Sequence, residues 1–113
     1  MQYPWQVTSQ KVQAVIKKIV TTIRPRKIIL FGSYIQGNVG KHSDLDILII
    51  TRDDIISPRQ ESIRIRRALK EIFMPMDILV VTESKFEELK NMPGLVYREA
   101  VNTGEVVYDS EKS

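Results

Sequence analysis

The chain has 113 residues and a net charge of +3, from seventeen Lys and Arg against fourteen Asp and Glu. It has no cysteine and one histidine, which excludes disulfides, thiolate nucleophiles, Cys-ligated zinc and multi-histidine metal sites. An apolar content of 42% with 27% charged residues indicates a folded globular chain rather than a disordered one, and the length predicts a single domain over residues 1–113.

Val12, Val15, Ile16, Ile19, Val20 and Ile23 recur with helical spacing, which predicts an amphipathic helix capped by Thr8 or Ser9 and stopped by Pro25. Lys27–Phe31, ended by Gly32, reads as a short buried strand. Leu45–Thr51 reads as a second, apolar on both faces like a central strand covered by helices. Ser57-Pro58-Arg59-Gln60 is a helix start, with a Ser cap, Pro at the first helical position and Gln three after the cap. Ile65, Ala68, Leu69, Ile72 and Phe73 are its expected buried stripe, and Pro75 its end. Met76–Val81 is a third apolar strand. Thr82 or Ser84 opens a short helix carrying Phe86 and Leu89, and a last helix is expected from Pro93 to Thr103 with Gly104 as its C-terminal stop. Val106-Val107-Tyr108 reads as an edge strand. This alternation predicts an α/β fold, a small sheet flanked by helices.

The longest apolar runs, such as Ile47–Ile50, are too short to span a bilayer. The segment Met1-Gln2-Tyr3-Pro4-Trp5 lacks the basic and apolar regions of a signal peptide. A cytoplasmic location with no membrane partner is expected, in keeping with the absence of cysteine.

The chemistry concentrates between Phe31 and Asp46. Gly32-Ser33 follows a strand, ten residues intervene, and Asp44-Leu45-Asp46 opens the next strand. Gly32 allows close backbone approach to a phosphate, the amides of a following helical turn suit an anion, and Ser33 adds a hydroxyl donor. Asp44 and Asp46, two apart, are expected to point to one side and to repel unless a cation lies between them. Magnesium, taking carboxylate and phosphate oxygens, resolves that repulsion. Asp77 opens the third strand. If that strand lies beside the second, Asp77 joins Asp44 and Asp46, and three carboxylates holding metals about 4 Å apart suit in-line nucleotidyl transfer. Asp77 is also placed to act as a general base on the attacking hydroxyl.

The pattern Gly32-Ser33-x10-Asp44-x-Asp46 resembles the signature of the DNA polymerase β-like nucleotidyltransferase superfamily. The short chain, with Asp77 and the closing Pro93-Gly94-Leu95-Val96-Tyr97-Arg98-Glu99-Ala100 segment, resembles its minimal nucleotidyltransferase (MNT) branch. The resemblance implies that Gly32 and Ser33 bind the nucleotide and that Asp44, Asp46 and Asp77 are the catalytic and metal-binding carboxylates, with Mg2+ as cofactor and ATP as substrate. It also implies a partner, a HEPN-domain toxin, to which the chain is the antitoxin. The expected reaction moves AMP from ATP to a tyrosine of that toxin, and the alternative is a non-catalytic antitoxin that neutralises the toxin by binding. A nucleotidyltransferase acting on a small molecule is a third reading, for which the chain lacks a second domain to build an acceptor pocket.

One position departs from the family pattern. Many minimal members carry arginine where this chain has Gln36, and an amide supplies no fixed charge to a triphosphate. Lys41, Arg52 or a partner residue are the expected substitutes. His42 reads as an exposed loop residue rather than a phosphate contact. The basic run Arg59, Arg64, Arg66, Arg67 and Lys70 reads as a solvated helix face, or else as a contact for an acidic partner or RNA. Aromatic residues are too few for a nucleic-acid stacking surface, so no direct nucleic-acid binding is expected. Met74-Pro75-Met76 reads as core plus turn. Tyr34 reads as a solvent-facing residue able to stack on a base, and Trp5 and Tyr3 as a staple for the first helix or a contact with another subunit. A homo-oligomer is left open.

Overall fold

The computed structural model describes residues 4–37 and 44–112. Tyr3 and residues 38–43, Lys41 and His42 among them, lie outside these. The elements are α1 (Ser9–Ile23), β1 (Lys27–Phe31), β2 (Leu45–Thr51), α2 (Pro58–Ala68), β3 (Met76–Thr82), α3 (Glu83–Leu89), α4 (Val96–Thr103) and β4 (Glu105–Asp109), followed by a 3-10 turn (Ser110–Lys112).

The four strands form one mixed sheet in the order β3-β2-β1-β4. β1 is antiparallel to both β2 and β4, and β2 is parallel to β3. A parallel pair needs a crossover, and α2 supplies it. Successive residues of a strand face opposite sides. On one side, Leu45, Ile47 and Ile49 of β2 join Val15 and Ile19 of α1 and Ile65 of α2 in the larger apolar core. On the other, Leu48 and Ile50 join Phe31, Val81, Phe86 of α3 and Ala100 of α4. β2 is therefore covered on both faces, which is why its sequence is apolar throughout. No helix among the described residues is long and apolar enough to cross a membrane.

The helix ends follow local chemistry. Thr8 caps α1 by accepting the Lys11 N–H at 3.2 Å, and Ser57 caps α2 by accepting the Gln60 N–H at 3.1 Å. Arg24 closes α1 with a left-handed φ of 48°, its N–H bonded to Val20 O at 3.0 Å, and Pro25 then blocks continuation.

Two expectations are corrected. α2 ends at Ala68 with Leu69 as its cap, so the buried stripe stops at Leu69. Ile72 is only partly buried and Phe73 is 65% exposed, because both lie in the connection to β3 rather than on a helix face. α4 begins at Val96, three residues after Pro93, with no side-chain cap. Gly104 ends α4 as expected, with an extended backbone at φ −86°.

Gly104 is small for a different reason. A Cβ there would collide with Ala100 O and lie 2.7 Å from Ile29 Cγ2 and 2.9 Å from Leu30 O. Its bareness lets α4 close down on β1. Gly104→Ala is expected to lower unfolding stability by about 1–3 kcal/mol, as overpacking does, although its φ suits alanine. A urea midpoint equal to that of the unaltered chain would contradict the close approach.

Candidate nucleotide and metal site

The site lies where β1 ends and β2 and β3 begin. Parallel pairing sets Leu45 against Met76 and Asp46 against Asp77. Each strand has its Asp at the second position, so a register that aligns the starts also aligns the acids. Asp46 is half-buried, Asp77 exposed, and Asp44 exposed just before β2. By alternation Asp46 shares its face with Leu48 and Ile50, the side covered by α3 and α4.

Across β1 the register partner of Asp46 is Phe31, and Gly32 follows. Gly32 has φ +81°, and a Cβ on it would overlap the Asp46 carboxylate. Glycine is thus required twice over, by its left-handed backbone and by the carboxylate occupying the space a side chain would fill.

The segment Gly32–Gly37 forms the expected helical turn, which does not continue into a helix among the described residues. The Gln36 N–H donates to Gly32 O at 3.1 Å and the Gly37 N–H to Tyr34 O at 3.4 Å. Among the described residues no carbonyl takes the N–H of Ser33, Tyr34 or Ile35. Consecutive free amides following a left-handed glycine suit a phosphate. Tyr34 is not solvent-facing: it packs half-buried with Ile35 against the larger core.

The Asp46 carboxyl is held above its ordinary value of 3.8, first by burial and then by the negative charges of Asp77, Asp44 and Glu99. Glu99, on α4, is a fourth acid absent from the sequence reading. Only the packing of α4 on the sheet, fixed by Ala100 and by the edge-to-face contact of Tyr97 with Phe86 (ring centres 6.5 Å apart), brings its field to Asp46. Among the described residues no three acids are close enough to hold a metal ion alone. Magnesium does not require such a cage, since it takes one or two carboxylates and completes its shell with phosphate and water oxygens. A raised carboxyl among like charges, beside free amides, fits that division of ligands.

Arg52 does not reach this site. It follows the far end of β2, six residues from Asp46 and thus about 20 Å along the strand, and it pairs with Asp54 at 3.3 Å. Its charge cannot replace the one missing at Gln36.

The family model described as "Polymerase beta, Nucleotidyltransferase" matches residues 13–113. Caffeine-induced protein 16 of Schizosaccharomyces pombe is 34% identical over 74 residues, which cover 62% of this chain and 6% of that protein. The chain thus spans a small fraction of the curated relative. Among solved structures, a Sulfolobus solfataricus protein assigned to the nucleotidyltransferases superposes with a TM-score of 0.63 at 14% identity, over 92% of this chain and 82% of its own. A toxin–antitoxin structure with AMP-PNP gives 0.55 at 20% identity, over 94% and 77%. A toxin–antitoxin MntA-HpeT structure gives 0.57 at 19%, over 95% and 76%. At these identities the structures establish a shared fold.

Because its folded pKa is raised, Asp46 binds its proton more tightly in the native state than in the unfolded chain. Its contribution to stability is complete below pH 3.8 and is lost as pH rises through the raised value. Asp46→Asn is therefore expected to melt at a higher temperature than the unaltered chain at pH 7, with the gap closing as pH approaches 3.5. Calorimetry from pH 3.5 to 8 without divalent cations checks this; a variant that melts lower at pH 7 contradicts it.

Proposed function

Because the chain belongs to the polymerase β nucleotidyltransferase family, we propose that it is a Mg2+-dependent nucleotidyltransferase of the minimal type. On this reading it is the antitoxin of a toxin–antitoxin pair, moving AMP from ATP to a tyrosine of its HEPN-domain partner. The observation that carries the reading is the convergence of Asp46 and Asp77 across one parallel register, with the Asp46 carboxylate seated over Gly32. Likeness to toxin–antitoxin structures, one holding the ATP analogue AMP-PNP, supports the partner and the nucleotide.

The roles follow from placement. The free amides after Gly32 and the Ser33 hydroxyl receive phosphate oxygens of ATP. Asp44 and Asp46, with Asp77 beside them, hold the cation. Bound magnesium supplies charge neutralisation for the α-phosphate and the departing pyrophosphate. The tyrosine oxygen bonds to the α-phosphorus, the bond from that phosphorus to the bridging oxygen breaks, and pyrophosphate leaves with the electron pair. Asp77, the more exposed of the aligned acids, accepts the tyrosine proton.

The alternative, neutralisation by binding alone, draws on Gln36 and on the placement of Arg52 at the far end of β2. Without an arginine in the motif, a partner side chain must supply positive charge to the triphosphate if transfer is to be efficient.

Incubation with ATP, Mg2+ and the HEPN protein encoded beside this chain, followed by intact-mass spectrometry, separates the two. A gain of about 329 Da on the toxin, AMP less water, is expected. It should fall by at least roughly 100-fold in Asp44→Ala/Asp46→Ala. No mass gain, with toxin neutralised equally by the double variant, would establish the binding alternative.

A further inference from the structure

β3 is an edge strand, and α2 returns the chain to its start, so the C-terminal end of α2 lies at the same end of the sheet as Asp46 and Asp77. On the α2 face of β3, opposite the one that Asp77 occupies, is a depression of about 240 Å³ with a floor of Leu69, Ile72, Met74, Met76 and Ile78 and two cations, Arg66 and Lys70, on its lining. Leu69, Met74 and Ile78 are anchored in the core, while Ile72 and Met76 are only partly covered. Phe73, 65% exposed, stands in the same connection.

Of the cations on α2 and the turn after it, one is committed to the fold, and two of the others line the depression. Arg64 is committed to the fold: it bonds both carboxylate oxygens of the buried Glu61, at 3.1 and 3.3 Å, and donates to Thr22 O at 2.8 Å, tying α2 to the end of α1. Arg66 and Lys70 are exposed and have no ion-pair or hydrogen-bond partner among the described residues. Arg66 lies in the last turn of α2 and Lys70 in the turn just after its cap, and both line the depression, so two unneutralised charges flank one apolar floor. Surface cations with no anion nearby gain most from an acidic partner, and a partly open, methionine-lined floor adapts to an apolar side chain.

We propose that this depression is a docking site for an acidic segment of a partner protein. One apolar side chain of that segment seats on the Met76 and Ile72 floor, and its carboxylates pair with Arg66 and Lys70. A phosphodiester backbone matches the charges but has no apolar group for the floor, and the floor has no aromatic face for a base to stack on; protein is therefore the occupant favoured over RNA. Docked there, the partner lies at the same end of the sheet as Asp46 and Asp77 but on its opposite face, so an acceptor hydroxyl reaches the carboxylates only from a part of the partner that passes round the β3 edge. The inference rests on the reading that the chain acts on a second protein, and it adds where that protein is held.

Titration calorimetry of the purified chain against the neighbouring HEPN protein tests it. The unaltered chain should bind, and more weakly as NaCl rises from 50 to 500 mM. Arg66→Glu/Lys70→Glu should weaken binding by roughly tenfold or more, with unchanged circular dichroism and melting, since both side chains are exposed. Met76→Glu should weaken it independently. Asp44→Asn/Asp46→Asn should still bind, separating docking from chemistry. Equal binding by the unaltered chain and the charge-reversed variant overturns the docking site while leaving the partner reading intact. No binding by the unaltered chain overturns both. Loss of affinity for a 20-nucleotide RNA in the reversed variant, with toxin binding kept, overturns a protein occupant in favour of RNA.

Discussion

Side-by-side carboxylates at the start of two parallel strands are the constraint from which the rest of the site follows. Once β2 and β3 pair from their first residues, Asp46 and Asp77 stand in register, and the strand ends carry a local excess of negative charge. Asp44 and Glu99 increase it. Like charges brought together in this way oppose folding, and the fold tolerates them because β2 is buried on both faces by two separate apolar cores. The Asp46 carboxylate in turn dictates glycine at position 32, and the left-handed glycine turns the chain so that the next amides remain free. The proposed phosphate and cation sites would thus both follow from one contact between a strand end and a turn.

Much of this was legible before any coordinates. The apolar runs marked β1, β2 and β3, because strands packed against helices carry little polar alternation to obscure them. Thr8, Ser57 and Thr82 marked helix starts, because capping is local chemistry between residues three apart. The approach of Asp77 to Asp46 was conditional on strand order, and once β3 lies beside β2 the matching positions of the two acids supply the register.

What escaped the sequence was tertiary. Nothing local announces that the space beside Gly32 is filled by a carboxylate from another strand, or that the charge of Glu99, on a helix some fifty residues later, acts on that carboxylate. Gly104 carried a local cue, but its reason is the closeness of α4 to β1 rather than a left-handed cap. The helical period suggested a continued stripe through Ile72 and Phe73, whereas α2 stops at Ala68 and leaves Phe73 in solvent. Arg52 was a plausible substitute for the missing arginine only until its strand placed it at the opposite end of the sheet. That Arg64, alone among the basic residues of α2, is committed to an ion pair required knowing that Glu61 is buried.

The account holds that the carboxylates form half of a metal site whose other half is the phosphate of the nucleotide. Manganese binding measured by electron paramagnetic resonance tests this most directly, as Mn2+ takes the same oxygen ligands as Mg2+. Alone, the chain is expected to bind Mn2+ weakly, because no three described acids close around an ion. With AMP-PNP present, Mn2+ should be held more tightly than by the nucleotide alone, and Asp44→Asn/Asp46→Asn should abolish the gain. A chain that adds nothing to the affinity of the nucleotide for Mn2+, or a double variant that binds the pair as well as the unaltered protein, would contradict the account.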